Sequence, residues 1–370
     1  MTLTNDKHVI LTLDAGGTNF VFSAYRGGSE IVKPITLASN PHDQNLCINT
    51  IYSGFESVSA LLNQQADAIS FAFPGPADYA KGIIGDLPNF KAFNGGVPLG
   101  PMLEDRFRLP VFINNDGNLF AYGEALAGFL PDLNKRIIER GGIKQFRNLV
   151  GLTLGTGFGC GIVLNNTLLA GDNSNDAGIH NTSNKFNVSW NAEESISTRA
   201  IQRVYCEEAG LEMPTGLMPK DIFDIAAGIA PGNREAALNS FRVFGDALGN
   251  SIANMLTLID GIVVIGGGLV AAWEFFAPAM FAEIDRRYEH PSGEKYPRLS
   301  VKVYNLEDEG TFGEFANGSV KSLHIPSGEK VVVYDEMQRS GVGLSKLSAS
   351  SAIAIGANAF AVQILNSDSN

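Results

Sequence analysis

The stretch Val9-Ile10-Leu11-Thr12-Leu13-Asp14-Ala15-Gly16-Gly17-Thr18-Asn19-Phe20-Val21-Phe22 decides the fold class. An apolar run ends on a carboxylate and a Gly-Gly-Thr break. A second run, β-branched and aromatic, follows and is closed by Arg26-Gly27-Gly28-Ser29. Runs that suit a pleated surface on both sides of a short glycine break read as a β-hairpin, not as the strand-to-helix turn of a dinucleotide fold. A second copy lies further along. Val150 to Leu154 leads into Gly155-Thr156-Gly157-Phe158-Gly159-Cys160-Gly161, then Ile162-Val163-Leu164 and the turn Asn165-Asn166. Leu11-Thr12-Leu13 returns as Leu152-Thr153-Leu154, each time directly before the glycine-rich element. Two domains that each begin with such a hairpin explain the repeat, coincidence being the alternative for so short a string.

Around the hairpins the pattern is α/β. Apolar residues at three-to-four spacing predict helices over 45–64, 99–107, 118–129, 193–208, 221–227, 234–258, 269–287 and 348–365. Buried-strand runs fall at 68–73, 111–113 and 261–265. The charged stretch 133–147 reads as a surface excursion, and 305–330 as an inserted hairpin region. At ~150 residues per domain, the 370-residue chain holds about two to three domains and needs no staple to bury a core. With 27 basic and 39 acidic side chains, the net charge of −12 disfavours a nucleic-acid partner. Cys47, Cys160 and Cys206 form no Cys-x-x-Cys pair, which excludes a zinc ribbon and suits a reducing, cytoplasmic compartment. The polar start shows no secretory segment. Every apolar run is cut before ~18 residues, so neither a membrane span nor a membrane partner is expected.

Four elements carry chemistry. Alternate strand residues share a face, so Gly155, Gly157, Gly159 and Gly161 predict a face bare of side chains where a ligand reaches backbone N–H groups; a bulge or crowded crossing is the bland reading. Asp14, Gly16, Gly17 and Thr18 place a carboxylate, two glycines and a hydroxyl where Mg²⁺ and phosphate could be held, or make an ordinary hairpin turn. Two such hairpins facing each other would grip one polyphosphate. Gly266, Gly267 and Gly268, between a strand and a helix, could seat an anion, a base or a ribose. Asn115 and Asp116 follow a buried strand at the carboxyl edge of the sheet, where ligands bind. Asp116 is therefore the candidate base, its bland role being a helix cap that Asn118 could equally supply. His180 is a lone histidine of the kind that is more often structural.

These pieces in this order resemble the ROK (repressor, open reading frame, kinase) family within the actin-like ATPase superfamily. The resemblance runs through Leu13 to Thr18, Phe73-Pro74-Gly75-Pro76, Pro88-Asn89-Phe90, Pro110 to Asn118, Tyr122-Gly123-Glu124, Leu154 to Gly161, Val264 to Val270 and Ala354 to Ala357. It implies a two-domain actin-like (ribonuclease H-like) α/β fold with an interdomain cleft. Residues 1–120 plus 348–370 would form the sugar-side domain and 121–347 the ATP-binding domain. It also implies ATP- and Mg²⁺-dependent phosphorylation of a hexose or N-acetylhexosamine. Gly155, Thr156, Gly157 and Gly266 to Gly268 would lie on the nucleotide, and Asp14 on the metal through water. Gly75, Asn89, Asn115, His180 and Glu193 would lie on the sugar with Asp116. The chain departs from the family in two places. Ala177 replaces a sugar-binding Glu three residues before His180, and Asn184 to Asn191 replaces the zinc cysteines, so no structural zinc is expected.

The rivals are a sugar-responsive repressor, a noncatalytic sugar or nucleotide binder, and a dehydrogenase. The 13 residues ahead of Asp14 are too few for a helix-turn-helix, which counts against the first. The small-molecule sugar is the expected partner, with a homodimer possible.

Overall fold

The computed structural model describes residues 3–87, 90–213, 216–326 and 328–367. Its contacts divide the chain into a first unit of residues 1–128, 161–177 and 346–370, and a second of 129–160 and 178–345.

In the first unit, β1 (Ile10–Ala15) and β2 (Asn19–Arg26) pair antiparallel, Asp14 opposite Val21 and Ala15 opposite Phe20, so Gly16 to Thr18 form the turn. The short β3 (Ser29–Glu30) and β4 (Ile35–Ala38) add to β2. Helix α1 (Gln44–Ser59) is capped by Asp43 and buries Cys47, Ile48, Ile51, Phe55 and Val58, its apolar stripe. β5 (Ala68–Ala72) pairs parallel with β1. A small hairpin of β6 (Ala77–Asp78) and β7 (Ile83–Ile84) and helix α2 (Leu99–Phe107) precede β8 (Val111–Asn114), which runs parallel to β5. The sheet order is β3-β2-β1-β5-β8, and Phe20, Phe22, Phe55, Phe71 and Phe73 fill one core.

Helix α3 (Asp116–Leu126) follows β8 directly. The last helix, Ala349–Ser367, contains an 18-residue window of mean hydropathy 1.3, enough to cross a bilayer by length and composition. It is a core helix. A Cβ on Gly356 would lie 1.9 Å from the Leu119 carbonyl oxygen, and one on Gly123 2.1 Å from that of Ala352. Glycine on both helices thus lets the two backbones touch.

The second unit opens with α4 (Phe129–Glu139), an amphipathic helix burying Phe129, Leu130, Leu133 and Ile137. The stretch expected as a surface excursion is therefore helical at its start, its charges lying opposite that stripe. β9 (Leu149–Leu154) and β10 (Phe158–Leu164) are sheet neighbours joined by three residues, the second hairpin; β11 (Thr167–Leu168) pairs on β10. Helices α5 (Thr198–Ala209), α6 (Pro219–Ala226) and α7 (Arg234–Leu258) lead to β12 (Ile262–Gly266), parallel to β9. Then come α8 (Trp273–Ile284), the hairpin of β13 (Arg287–Glu289) and β14 (Lys295–Pro297), and β15 (Lys302–Asn305). The region expected as an insertion holds α9 (Glu309–Asn317) as well as an exposed hairpin of β16 (Val320–His324) and β17 (Val331–Asp335). β18 (Arg339–Leu344) lies parallel between β12 and β15.

Residues 161–177, expected in the larger domain, group with the first unit, and the boundaries fall at 128 and 346. The cause is local. A Cβ on Gly161 would stand 2.4 Å from the Gly117 carbonyl oxygen and 2.7 Å from the Ala121 Cβ, so the bare glycine lets β10 press onto α3. Asn118 Nδ2 then donates to Asp176 Oδ2 at 2.6 Å.

Candidate active site

Strand β8 delivers three polar residues to the start of α3. Asn115 is extended (φ −72°, ψ 150°) and caps the helix, its Oδ1 accepting from the Gly117 N–H at 2.8 Å. The cap is thus neither Asp116 nor Asn118, and the helix begins two residues before the predicted 118. Asp116, released from capping, is the first helical residue, with Oδ1 2.9 Å from the same Gly117 nitrogen. Solvent reaches its carboxyl, yet surrounding protein desolvates it. That desolvation raises its pKa, against the lowering pull of the Gly117 and Asp116 N–H groups.

Tyr79 joins this cluster and was missed in the sequence. Its hydroxyl donates to the Phe73 carbonyl at 2.8 Å. Burial pushes the phenol up to about 12; a hydrogen bond with Asn115 lowers it, and the charges of Asp116 and Asp176 raise it further. A Cβ on Gly75 would stand 3.2 Å from that hydroxyl, which accounts for the glycine. The one signal in the sequence was an aromatic with a polar tip just past Pro74-Gly75-Pro76. Asn118 turns to the other side of α3 and is buried, Nδ2 donating to Asn114 Oδ1 at 3.0 Å and to Asp176. Asn89 lies outside the described residues.

At the first hairpin Asp14 is half-buried at the end of β1. Gly16 is required by crowding, since a Cβ there would lie 2.8 Å from the Asn19 carbonyl oxygen; Gly17 opens on free space. Ser39 fixes the turn from behind, its Oγ donating to the Gly17 carbonyl at 2.7 Å and its N–H to the Thr18 carbonyl at 3.0 Å. The Gly17 and Thr18 N–H groups meet no acceptor among the described residues.

The second glycine row is not one bare face. Residues 155–157 are a turn, and the strand begins at Phe158. Gly155 opens on free space, and its carbonyl accepts from the Thr198 N–H at 2.9 Å. Thr156 is exposed at the tip. Gly157 looks onto Glu193, whose Oε2 would lie 2.9 Å from a Cβ there. The same oxygen accepts from the Phe158 N–H at 2.9 Å, while Oε1 takes Arg199 at 2.9 Å. Gly161 is packing for α3. At β12, Gly266 is the last strand residue. Gly267 has φ +96° and a would-be Cβ 2.3 Å from the Leu154 carbonyl oxygen, so it too is architecture, whereas Gly268 opens on free space. His180 is half-buried in a short helical turn, its ring without a hydrogen-bond partner among the described residues.

Where the family carries cysteines, side chains tie the loop instead. Asn184 Nδ2 donates to the Asn191 carbonyl and Ser195 Oγ, both at 2.8 Å, and Oδ1 accepts from the Phe186 and Asn187 N–H groups. Lys185 binds Asp246 and, at 2.7 Å, Glu283. No group of three His, Cys, Asp or Glu side chains among the described residues could hold a metal.

The ROK family profile matches residues 10–316. The chain belongs to the ROK family. A solved glucokinase from Parabacteroides distasonis is 47% identical with a TM-score of 0.88, covering 98% of this chain and 99% of its own. The glucokinase of Thermotoga maritima is 28% identical over 301 residues, 75% of this chain and 88% of that one. A ROK glucokinase from Streptomyces griseus, solved with glucose and AMPPNP, is 17% identical with a TM-score of 0.58 over 95% of this chain and 98% of its own, a likeness of fold. The fold of this ROK protein is accordingly the two-domain actin-like ATPase fold.

Proposed function

We propose that this chain is an ATP-dependent sugar kinase that phosphorylates a hydroxyl of a hexose or N-acetylhexosamine, with glucose the first candidate. The observation that carries the reading is the end-to-end likeness to a glucokinase at 47% identity. It is joined by a desolvated Asp116 placed at a helix start beside Asn115.

In this reading Asn115, Tyr79 and Gly75 orient the ring, with Asn89 beside them in sequence, and His180 and Glu193 are further sugar ligands. Asp116 takes the proton of the attacking hydroxyl as its oxygen bonds to the γ-phosphorus and ADP departs. A raised pKa makes the carboxylate a stronger base than a solvated one. The rest is positioning and charge neutralisation, as phosphoryl transfer requires. Gly155, Thr156, Gly157 and Gly266 to Gly268 are the nucleotide-side groups, and the open space over Gly155 and Gly268 fits a ligand at backbone distance. Asp14 with the unpartnered N–H groups of Gly17 and Thr18 suits phosphate and Mg²⁺, since magnesium is usually held by one or two carboxylates, phosphates and water. When bound, Mg²⁺ would neutralise phosphate charge at Asp14. The buried free cysteines support a cytoplasmic setting, and a homodimer belongs to the same reading, to be read by light scattering.

One observation favours a noncatalytic regulator instead: Ala177, standing where the family has its Glu, has φ +51° and brings no carboxylate. A coupled ADP-release screen over hexoses, N-acetylhexosamines and disaccharides decides. Turnover of glucose or an N-acetylhexosamine is expected; sugar binding without ADP release would favour the regulator.

A further inference from the structure

The hairpin of β16 and β17 is a ribbon of its own. Among the described residues its strands pair only with each other, from Val320 opposite Asp335 to His324 opposite Val331. Side chains alternate between the faces of a strand, so Val320, Val331 and Val333 share one face and Leu323, Val332 and Tyr334 the other. All six are 38–55% exposed. A two-stranded ribbon is marginal in water by itself, and this one shows apolar side chains on both faces. Its root is anchored where β17 joins β18. Asp335 Oδ2 accepts from Arg339 Nη1 at 2.5 Å, and Oδ1 accepts from the N–H groups of Ser319 at 2.9 Å and Met337 at 3.1 Å.

The two outer edges of the ribbon differ. β16 carries Lys321 and His324, and a lysine on an edge strand hinders pairing with another chain. β17 reads Val331-Val332-Val333-Tyr334-Asp335, with no Pro, Gly or Lys, and its one charge is engaged at the root. The Ile325 N–H donates to the Lys330 carbonyl and the Glu336 N–H to the Ser319 carbonyl, both at 3.0 Å. Antiparallel bonding alternates along a strand. Lys330, Val332, Tyr334 and Glu336 therefore bond inward to β16, and the N–H and C=O groups of Val331 and Val333 point outward from the ribbon.

We infer that a second copy of this chain docks on that edge: β17 pairs antiparallel with the same strand of the partner across a two-fold axis at Val333, making one four-stranded sheet of the two ribbons. The homodimer of the proposed function is thereby given its interface, and the inference rests on that reading. Charge selects both the occupant and the register. Centred on Val333, Lys330 falls opposite Glu336 of the partner subunit, twice by symmetry, and Val332 falls opposite the partner's Tyr334. Val331 faces the partner's Asp335, so no like charges meet. Lys330 has no ion-pair partner within 4 Å among the described residues, and Glu336 already holds Lys321 at 2.6 Å, so the acid would sit between two lysines. Centred on Val332 instead, Glu329 would face the partner's Asp335. Opposite charges and aromatic–β-branched pairs stabilise facing strands, and like charges oppose them. A strand that complements itself about a two-fold closes at two copies. Two edge strands bury less than the ~800 Å² per partner of a standard interface, so the dimer is weak and depends on concentration.

The test is sedimentation and light scattering of the full chain over a range of concentrations. Val333→Pro removes the outward N–H at the axis and no bond within the ribbon, a place where an edge strand tolerates proline. Lys330→Glu sets like charges across the axis twice. Val333→Cys, treated with diamide, reads the register. Directly opposed residues that exchange both bonds have Cα atoms ~5.5 Å apart, inside the ~4.4–6.8 Å range of a disulfide. Ser322→Cys on β16 is the control, and Cys47, Cys160 and Cys206 are buried. Expected are a parent dimer, a monomer for Val333→Pro, and at least tenfold weaker association for Lys330→Glu. Val333→Cys should cross-link to a dimer and Ser322→Cys should not, with circular dichroism unchanged throughout. A parent that stays monomeric at every concentration overturns the interface and the homodimer together. A parent dimer undiminished in Val333→Pro and Lys330→Glu, or no cross-link from Val333→Cys, overturns the interface alone and leaves the homodimer standing. The sugar-kinase reading is judged separately, by the ADP-release screen.

Discussion

Gly161→Ala and Gly155→Ala make the same chemical change at two ends of one glycine row, and the structure assigns them opposite consequences. At Gly161 the added methyl would lie 2.4 Å from the Gly117 carbonyl oxygen, 2.7 Å from the Ala121 Cβ and 2.8 Å from the Asn118 Cα. Restoring an ordinary contact of 3.4 Å requires α3 to retreat by about 1 Å. Two of the three obstructing atoms are backbone and the third is a Cβ, so no side chain can swing aside. Overpacking of this kind costs about 1–3 kcal/mol. With an unfolding entropy of ~2.1 cal/mol/K per residue, that is a fall in Tm of roughly 1–4 °C for a chain of this size. Because α3 begins with Asp116, turnover should fall as well. At Gly155 the methyl meets nothing within 4 Å. That variant should melt with the parent protein, while on the proposed reading its KM for ATP rises severalfold, because the methyl would enter space that reading gives to the nucleotide. Calorimetric melts of the three proteins, beside initial rates over a range of ATP, read both effects. If Gly161→Ala melts with the parent, or Gly155→Ala loses stability without any change in ATP dependence, the division of the row into packing and binding residues is wrong.

Asp116→Asn should lower kcat ~10²–10⁴-fold, the range for a lost general base. The parent's acid limb in kcat should lie above the ordinary carboxylate range, because burial raises the Asp116 pKa. The sign for stability is the reverse of a salt-bridged aspartate. A folded pKa above the unfolded value of ~3.9 means the native state loses stability as pH rises between the two values and stays lower beyond them. Asp116→Asn should therefore melt higher than the parent at pH 7, the gain vanishing near pH 4. Tyr79→Phe removes the hydroxyl that bonds Phe73 and faces Asn115; at ~0.5–1.5 kcal/mol for one hydrogen bond, the sugar KM should rise about 2–10-fold with kcat less affected. Chelation followed by restored Mg²⁺ should leave Tm unchanged, whereas Lys185→Met should cost roughly 1–3 kcal/mol. That is less than the ~3–5 for a fully buried pair, because Lys185 is 23% exposed and Glu283 keeps Arg298; a Tm that falls on chelation would reveal a metal site.

By itself the sequence determined the elements. The runs around Asp14-Ala15-Gly16-Gly17-Thr18 and Gly155-Thr156-Gly157 read as hairpins because β-branched and aromatic residues flank a break only glycine closes, and both are hairpins. The 234–258 helix was legible end to end from its apolar period, and the structure adds the Asn233 cap. Asp116 was legible as a strand-end carboxylate in an α/β chain, and the order of motifs identified the family. Only the tertiary structure decided which glycine does what. A bare Cα looks the same in sequence whether it faces empty space, as Gly155 does, or another backbone, as Gly161 and Gly267 do, because the obstructing atoms come from residues far along the chain. The cap fell to Asn115 rather than to Asp116 or Asn118 because Asn115 takes the extended conformation at the helix start. Tyr79 and Asp176 escaped because burial and the charges that face a group are set by packing, and packing brings together residues that share no period, spacing or motif.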